Sequence, residues 1–164
     1  MEKYGVVAFG FTCAPASHSE REIAMGAQTL SQKFEAPIFT QICMPIIAGE
    51  FDVSYIAQSP DGSPPPTLRI CREAVAWARK RGITVLWVVC ARPHRWRVKR
   101  DLQYAIREAG SDIKIYYEGG RRVPYVEWFW TGSKLWYARG PLRWHLRDTI
   151  LRLMPFAIYR HIAK

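Results

Sequence analysis

The hydrophobic positions of this chain form short continuous runs that alternate with stretches of helical periodicity. Residues 4–11 and 83–90 are apolar at almost every position, which predicts strands buried on both faces. Shorter strands are predicted at residues 37–41, 53–57 and 113–117. Because predicted helices connect these strands, the pattern predicts a single α/β domain over residues 1–164. Its expected fold is a three-layer Rossmann-like sandwich with about five mostly parallel strands.

Three predicted helices lie between the strands. The first is expected to begin at Ser19, because Ser19 and Glu22 have the spacing of a capping box. The second is predicted over residues 67–81 and the third over residues 93–109, each followed by a glycine that suits a helix C-terminus. Residues 59–66, with four prolines, predict a loop before the second helix.

A last, basic helix is predicted over residues 141–162, with Pro155 expected to kink or break it. Its apolar face consists of Leu142, Leu146, Ile150, Leu153, Met154 and Ile158. We expect this face to cover one side of the sheet; the alternative is that the helix binds a membrane surface. The aromatic segment before it suits three roles: an edge of the core, a homodimer interface, or a surface that stacks nucleic-acid bases beside Arg121 and Arg122.

The charge of the chain favours anionic partners. The formal net charge is +10, and residues 92–100 and 139–160 are strongly basic. Such a balance suits phosphorylated small molecules, nucleic acid or lipid head groups; the plain alternative is a solvated basic surface. No apolar run is long enough to span a membrane, and an acidic residue precedes the first apolar run. The sequence thus predicts a cytoplasmic protein and leaves peripheral association with the inner membrane open.

The clearest candidate site follows the strand at residues 83–90. Arg92, His94 and Arg97 lie where this strand hands over to a helix, and Pro93 suits the first helical position. Open α/β sheets bind ligands at this edge, where a helix N-terminus favours an anion. We predict that Arg92 and Arg97 bind the anion while His94 hydrogen bonds to it or acts as a general acid. The alternative is a solvated helix face.

The loop after the first strand is expected at the same edge of the sheet. The residues predicted to bind the ligand from this side are Gly10, Thr12, Arg21 and Thr40. Glu20 or His18 is the predicted acid–base partner in this loop, and Cys13 and Asp61 are further candidates for a nucleophile or base. The four cysteines show no CxxC spacing, so a metal site at Cys13, Cys43 and His94 has no support from ligand spacing. The sequence identifies no cofactor.

Three short motifs point to a known family. The first predicted helix contains Arg21 and Ala24, the third begins with His94-x-x-Arg97, and the last contains Trp-His-Leu-Arg-Asp at residues 144–148. In this order the motifs resemble the bacterial YdcF/SanA/ElyC-like family, a domain of unknown function. The resemblance implies a Rossmann-like fold, a nucleotide-like ligand and a link to the cell envelope.

The chain also departs from that family. It has only Gly10 where the family has a glycine-rich first turn, and Ile70 where the family often has asparagine. It contains neither a Walker A motif nor a complete GxGxxG, which disfavours ordinary ATPase or dinucleotide chemistry. The leading hypothesis is that the protein binds an anionic, phosphorylated small molecule and, if an enzyme, is a hydrolase or transferase. The alternatives are a nucleic-acid-binding or peripheral membrane protein without catalytic activity.

Overall fold

Strands and helices alternate in the computed structural model, which describes residues 2–46, 49–59, 63–118 and 123–163. The strands are β1 (Tyr4–Phe9), β2 (Ile38–Gln41), β3 (Val53–Ile56), β4 (Val85–Cys90) and β5 (Lys114–Glu118). The helices are α1 (His18–Phe34), α2 (Thr67–Lys80), α3 (Arg95–Glu108), α4 (Pro141–Leu153) and α5 (Phe156–Ile162). Short 3-10 turns lie at Arg92–His94, Tyr125–Trp128 and Trp136–Arg139.

The strands form one parallel sheet in the order β3-β2-β1-β4-β5. The chain builds outward from β1 through β2 to β3, then returns to place β4 on the other side of β1. Val6 of β1 is thus paired with both Ile38 and Trp87. The carboxyl ends of β1 and β4 mark the point where the strand order reverses, and open sheets bind ligands there. The predicted Rossmann-like α/β architecture is confirmed.

Helices cover both faces of the sheet, because alternate side chains of a strand point to opposite faces. The strand residues in the core cluster with α2 and α3 include Val7, Phe9, Leu86 and Val88. Those in the cluster with α1 include Val6, Ala8 and Val89. Trp128 and Trp144 are also buried in the second cluster, so much of that layer comes from the aromatic segment and α4.

The start of α1 differs from its prediction. Ser17, not Ser19, is the N-cap: its backbone is extended and its Oγ accepts a hydrogen bond from the Glu20 amide at 3.3 Å. Ser19 already lies inside the first turn, so the capping box predicted for Ser19 and Glu22 is wrong by two residues. The side chain of Glu20, three residues after the true cap, binds the loop that precedes the helix.

The prediction for the C-terminal helix is half right. Pro155 does break it, and α5 begins at Phe156. The expectation that the leucine and isoleucine face covers the sheet is wrong, because Leu142 and Leu153 are about four-fifths exposed (82% and 80%). The inward face instead carries Trp144, whose indole N–H donates to the carbonyl of Pro93 at 3.2 Å. A helix of this length cannot bury two opposite faces against one sheet, and the tryptophan face is the one that packs.

Candidate functional site

A cavity of about 210 Å³ lies at the carboxyl edge of the sheet, at the switch point between β1 and β4. Gly10 after β1, Gln41 at the end of β2 and His94 after β4 form its floor. Residues 64–67, which lead into α2, line another side, and residues of α4 and α5 complete the wall. The sheet topology therefore brings several separate elements to one small site.

The charge of the cavity wall is positive. Arg97 from α3 and Arg147 from α4 both line it, together with His94. Among its described lining residues there is neither an aspartate nor a glutamate. The remaining wall is largely aromatic and aliphatic, with Tyr137 and Trp144 beside the two guanidinium groups. A small anion is the ligand that such a wall stabilises, because charge attraction is strengthened away from bulk water.

Arg97 is held rigidly at the base of the cavity. It is almost fully buried, and its Nη2 donates to Asp148 Oδ1 at 3.2 Å. Its guanidinium carbon also lies 4.9 Å from the ring centre of Trp144. Asp148 accepts a second bond from Arg152 at 2.8 Å, so this one carboxylate holds two arginines. The Nε of Arg97 is buried and has no hydrogen-bond partner in the described structure.

Arg147 is held by fewer contacts within the described structure than Arg97. Its guanidinium carbon lies 3.9 Å from the ring centre of Tyr137, and its Nη1 is buried without a hydrogen-bond partner among the described residues. Burial, followed by the positive charge of Arg97, lowers the pKa of Arg147. Arginine nevertheless stays charged in proteins, so the cavity contains a cation whose donors are partly unused.

His94 lines the same cavity as the two arginines. Its Nε2 lies 3.0 Å from Thr67 Oγ1, and its ring packs edge-on against Phe9 and Trp144. Burial lowers the pKa of His94 well below the ordinary value, and the charges of Arg97 and Arg147 lower it further. Its Nδ1 is buried with no partner in the described part of the chain. The ring can therefore exchange a hydrogen bond with a ligand without adding a third positive charge.

The unfolding free energy is expected to fall as the pH drops below about 6.5, the ordinary pKa of histidine. The lowered pKa of His94 means that the unfolded chain gains a proton that the folded protein does not bind. Stability from this residue is therefore complete above that pH and decreases by about 1.4 kcal/mol per pH unit below it, until the folded-state pKa is reached. Urea unfolding at several pH values measures the decrease. A His94→Gln variant with the same pH dependence as the wild type would contradict a buried neutral ring.

The loop after β1 is already occupied by a carboxyl group of the protein itself, that of Glu20. Oε1 of Glu20 accepts hydrogen bonds from the amides of Phe11, Thr12 and Cys13 at 2.6–2.8 Å, and from Thr12 Oγ1 at 3.1 Å. Consecutive amides of this kind form the concavity that binds phosphate in many α/β proteins. Burial raises the pKa of Glu20, although the three amides oppose this change. Glu20 is fully buried behind the loop and does not line the described cavity, which does not support its predicted acid–base role.

Removal of the Glu20 carboxylate is expected to destabilise this loop. Glu20→Ala leaves three backbone amides without their acceptor and should lower the unfolding free energy by about 3 kcal/mol, since each unsatisfied buried donor costs about 1–3 kcal/mol. Glu20→Gln retains an oxygen that can accept the same bonds, so its loss should be clearly smaller. Urea unfolding of the two variants measures the difference. Equal losses would show that the amides do not depend on this oxygen.

Three of the predicted ligand-binding or catalytic residues, Gly10, His94 and Arg97, meet in the cavity, and the further candidate Cys13 also lines it. The backbone of Gly10 lies close to the side chain of Gln41, because the Gly10 amide donates a hydrogen bond to Gln41 Oε1 at 2.6 Å. A Cβ at this position would lie only 2.8 Å from that oxygen, so a larger residue would not fit without a shift. Four predicted ligand residues lie outside the described lining: Thr12, Arg21, Thr40 and Arg92. The two arginines of this set are exposed to solvent. The two threonines are buried in internal hydrogen bonds, to the Glu20 carboxylate and to the Ala8 carbonyl respectively.

Cys13 lines the cavity, and Cys43 lies beside Cys13 outside the described cavity lining. Their Sγ atoms are 2.8 Å apart and both thiols are free, so the two strand ends bring these cysteines into direct contact. The hydrogen bond with Cys43, followed by burial, raises the pKa of the Cys13 thiol, which disfavours the thiolate that a nucleophile needs. No group of three potential metal ligands is present in the described residues. Asp61, the other candidate nucleophile or base, lies outside the described residues.

The sequence pattern does not reveal the residues that complete the wall. It marks Arg147 only as part of a family-like motif and Thr67 only as the start of a helix, although both line the cavity. Tyr137, which supports Arg147, belongs to an aromatic segment with no clean periodicity. The signal that could have found Arg147 is its position three residues after Trp144, which places both on one side of α4. Periodicity assigns that side to solvent, because it favours the leucine stripe as the inner face.

The fold and the cavity together define a Rossmann-like α/β protein with an arginine-lined site at the switch point of its sheet. A scan against protein-family models finds no match for this chain, and a search of curated proteins finds no significant match. The resemblance to the YdcF/SanA/ElyC-like family therefore stays a prediction. In the described part of the chain, none of the helices has the length and apolar character that crossing a bilayer requires.

Proposed function

We propose that this protein binds a small anionic molecule, phosphorylated or carboxylated, in the cavity at the switch point. The observation that carries the proposal is the pair of buried guanidinium donors, Nε of Arg97 and Nη1 of Arg147, which have no partner among the described residues. Buried charged donors without partners are costly in a folded protein, and a bound anion would satisfy them. The ring of His94, whose lowered pKa favours the neutral form, supplies one further hydrogen-bonding atom, Nδ1, in the same cavity.

The size of the cavity limits the ligand. Its volume of about 210 Å³ is smaller than typical small-molecule pockets of roughly 300–1,000 Å³. A phosphoryl or carboxylate group with a short carbon skeleton suits this space, whereas a nucleotide would place only its phosphate end inside. The resemblance to an envelope-associated family makes sugar phosphates and nucleotide sugars the first compounds to try. Thr67 and Gln41 offer hydrogen-bonding groups for a hydroxylated skeleton.

The proposal is for binding rather than turnover. A hydrolase or transferase would need a base or nucleophile beside His94, and the described lining contains no carboxylate. Nucleic-acid binding has less support, because Trp128 is buried and Tyr137 packs on Trp144, which leaves Trp130 and Trp136 as the exposed tryptophans of the aromatic segment. The two lining arginines also lie in a recess and not along a groove that could follow a nucleic-acid backbone.

A thermal-shift screen tests the proposal. Inorganic phosphate, pyrophosphate, sugar phosphates, nucleotide sugars and dicarboxylates would be compared, with chloride added to equal ionic strength. A ligand at about 100 times its Kd stabilises the folded state by about 2.7 kcal/mol, which is a shift of several degrees for a chain of this size.

Arg21→Gln and Arg92→Gln are matched controls for this screen, since each removes an exposed arginine outside the described cavity lining. Both variants should respond to the ligand as the wild type does. The proposal fails if none of the anions stabilises the wild type, or if the shift disappears in these controls.

A further inference from the structure

The two C-terminal helices turn a row of apolar side chains away from the rest of the protein. These side chains, here termed the C-terminal stripe, are Leu142, Leu146, Ile150 and Leu153 on α4 and Ile158 and Ile162 on α5. Each of them is more than half exposed. The spacing of four, four and three residues on α4 places its members along one line of the helix surface. The stripe lies opposite Trp144 and Asp148, which are buried against the protein.

The surroundings of the C-terminal stripe are positively charged. At about 100° per residue, Arg143 lies at one edge of the stripe on α4, and Arg160 is exposed on α5. From residue 128 to the end of the chain the sequence contains a single acidic residue, Asp148. Asp148 is buried and paired with Arg97 and Arg152, so it does not offset the charge of the outer surface. Apolar residues edged by cations suit the boundary between lipid head groups and acyl chains.

We propose that the C-terminal stripe docks the protein on an anionic bilayer surface, with α4 and α5 lying in the plane of the interface. The leucine and isoleucine side chains enter the acyl boundary, and the arginines reach the lipid phosphates. A second copy of the chain is a poorer occupant, because pairing would bring two arginine-rich surfaces together without a facing acid. The net charge of +10 also favours binding to an anionic bilayer.

Vesicle co-sedimentation tests this inference independently of the cavity. The probe is a vesicle of about 30 mol% phosphatidylglycerol in phosphatidylcholine, and the control vesicle is phosphatidylcholine alone. The wild type should bind the anionic vesicle and bind it more weakly as salt increases. Leu146→Gln with Ile150→Gln should reduce the affinity by about 100-fold, because two apolar insertions are lost. Arg143→Gln with Arg160→Gln should reduce it by about 30-fold.

Two control variants show whether the C-terminal stripe itself contacts the bilayer. Met25→Gln changes a similarly exposed apolar residue on α1 and should leave vesicle binding unchanged. Arg147→Gln removes one positive charge at the cavity and should weaken vesicle binding by less than about 5-fold, so a loss as large as that of the stripe variant would indicate capture of a lipid head group in the cavity and overturn the inference. The inference is overturned if the wild type does not bind anionic vesicles, or if the stripe variant binds them as well as the wild type. It is equally overturned if the stripe variant instead dissolves a dimer seen by analytical ultracentrifugation.

Discussion

Replacement of Arg147 by glutamine should weaken anion binding strongly without unfolding the protein. The guanidinium contributes a charge-assisted hydrogen bond to the ligand, worth about 1.5–3 kcal/mol, so the affinity should fall by about 10–100-fold. In the free protein the same group is a partly desolvated cation near Arg97, with Tyr137 as its stacked neighbour. Loss of the repulsion from Arg97 stabilises the folded protein, whereas loss of the stacking on Tyr137 destabilises it. The unfolding free energy should therefore change by less than about 1 kcal/mol.

The control for this variant is Arg143→Gln on the same helix. Arg143 is exposed and lies outside the described cavity lining, so its removal changes the charge by the same amount at a different place. Titration calorimetry with the best anion from the screen should show wild-type affinity for Arg143→Gln and weak or absent binding for Arg147→Gln. Equal affinities in the two variants would mean that the anion binds by general surface charge. A large loss of stability in Arg147→Gln would mean that this cation supports the fold.

Replacement of Asp148 by asparagine should give the largest loss of stability. Asp148 is the carboxylate that compensates the buried guanidinium of Arg97, and asparagine keeps its shape without its charge. Removal of one partner of a buried ion pair typically costs about 3–5 kcal/mol, because the other charge stays desolvated. Urea unfolding monitored by tryptophan fluorescence measures the loss.

Two further variants show whether that loss of stability comes from the unpaired charge of Arg97. Arg152→Gln removes the half-exposed partner of the same carboxylate and should cost less than about 1 kcal/mol. The double variant with Asp148→Leu and Arg97→Met should recover most of the stability lost on replacement of Asp148 alone, since neither charge is then left unpaired. If the asparagine variant is as stable as Arg152→Gln, the pair does not hold the cavity wall in place. A double variant as unstable as the single one would point to packing instead of charge.

The central fold was predictable because its signals are local. Apolar runs such as residues 83–90 indicate buried strands by themselves, and alternating helices make a parallel sheet the natural arrangement. The face of α4 was not predictable in this way. The helix has two candidate inner faces, a leucine stripe and a tryptophan face, and periodicity alone ranks the stripe first. Trp144 packs inward because its ring contacts aromatic side chains such as Phe11 and its indole N–H donates to the Pro93 carbonyl. Those partners are distant in sequence, so periodicity does not show them.

The candidate site was predictable only where it follows directly from strand order. His94 and Arg97 follow β4, and parallel strands bring the end of β4 beside Gly10 at the end of β1. Arg21 and Arg92 are suggested by their charge and by a motif resemblance, but charge does not determine on which side of a helix or turn a residue lies. Glu20 resembles a candidate acid because its fixed partners, three amides of the preceding loop, are invisible in the sequence.

The Glu20 carboxylate also determines how readily recognition in this protein can change. A loop of backbone amides recognises phosphate whatever side chains it carries, so substitutions there are often silent. In this chain those amides are bound to the protein's own carboxylate, and the cavity must rely on guanidinium and imidazole side chains instead. Each of those side chains can be exchanged by a single substitution. Under the proposed anion binding, selectivity is consequently open to stepwise alteration at Arg147 and His94, whereas Arg97 is fixed by its buried pairing with Asp148.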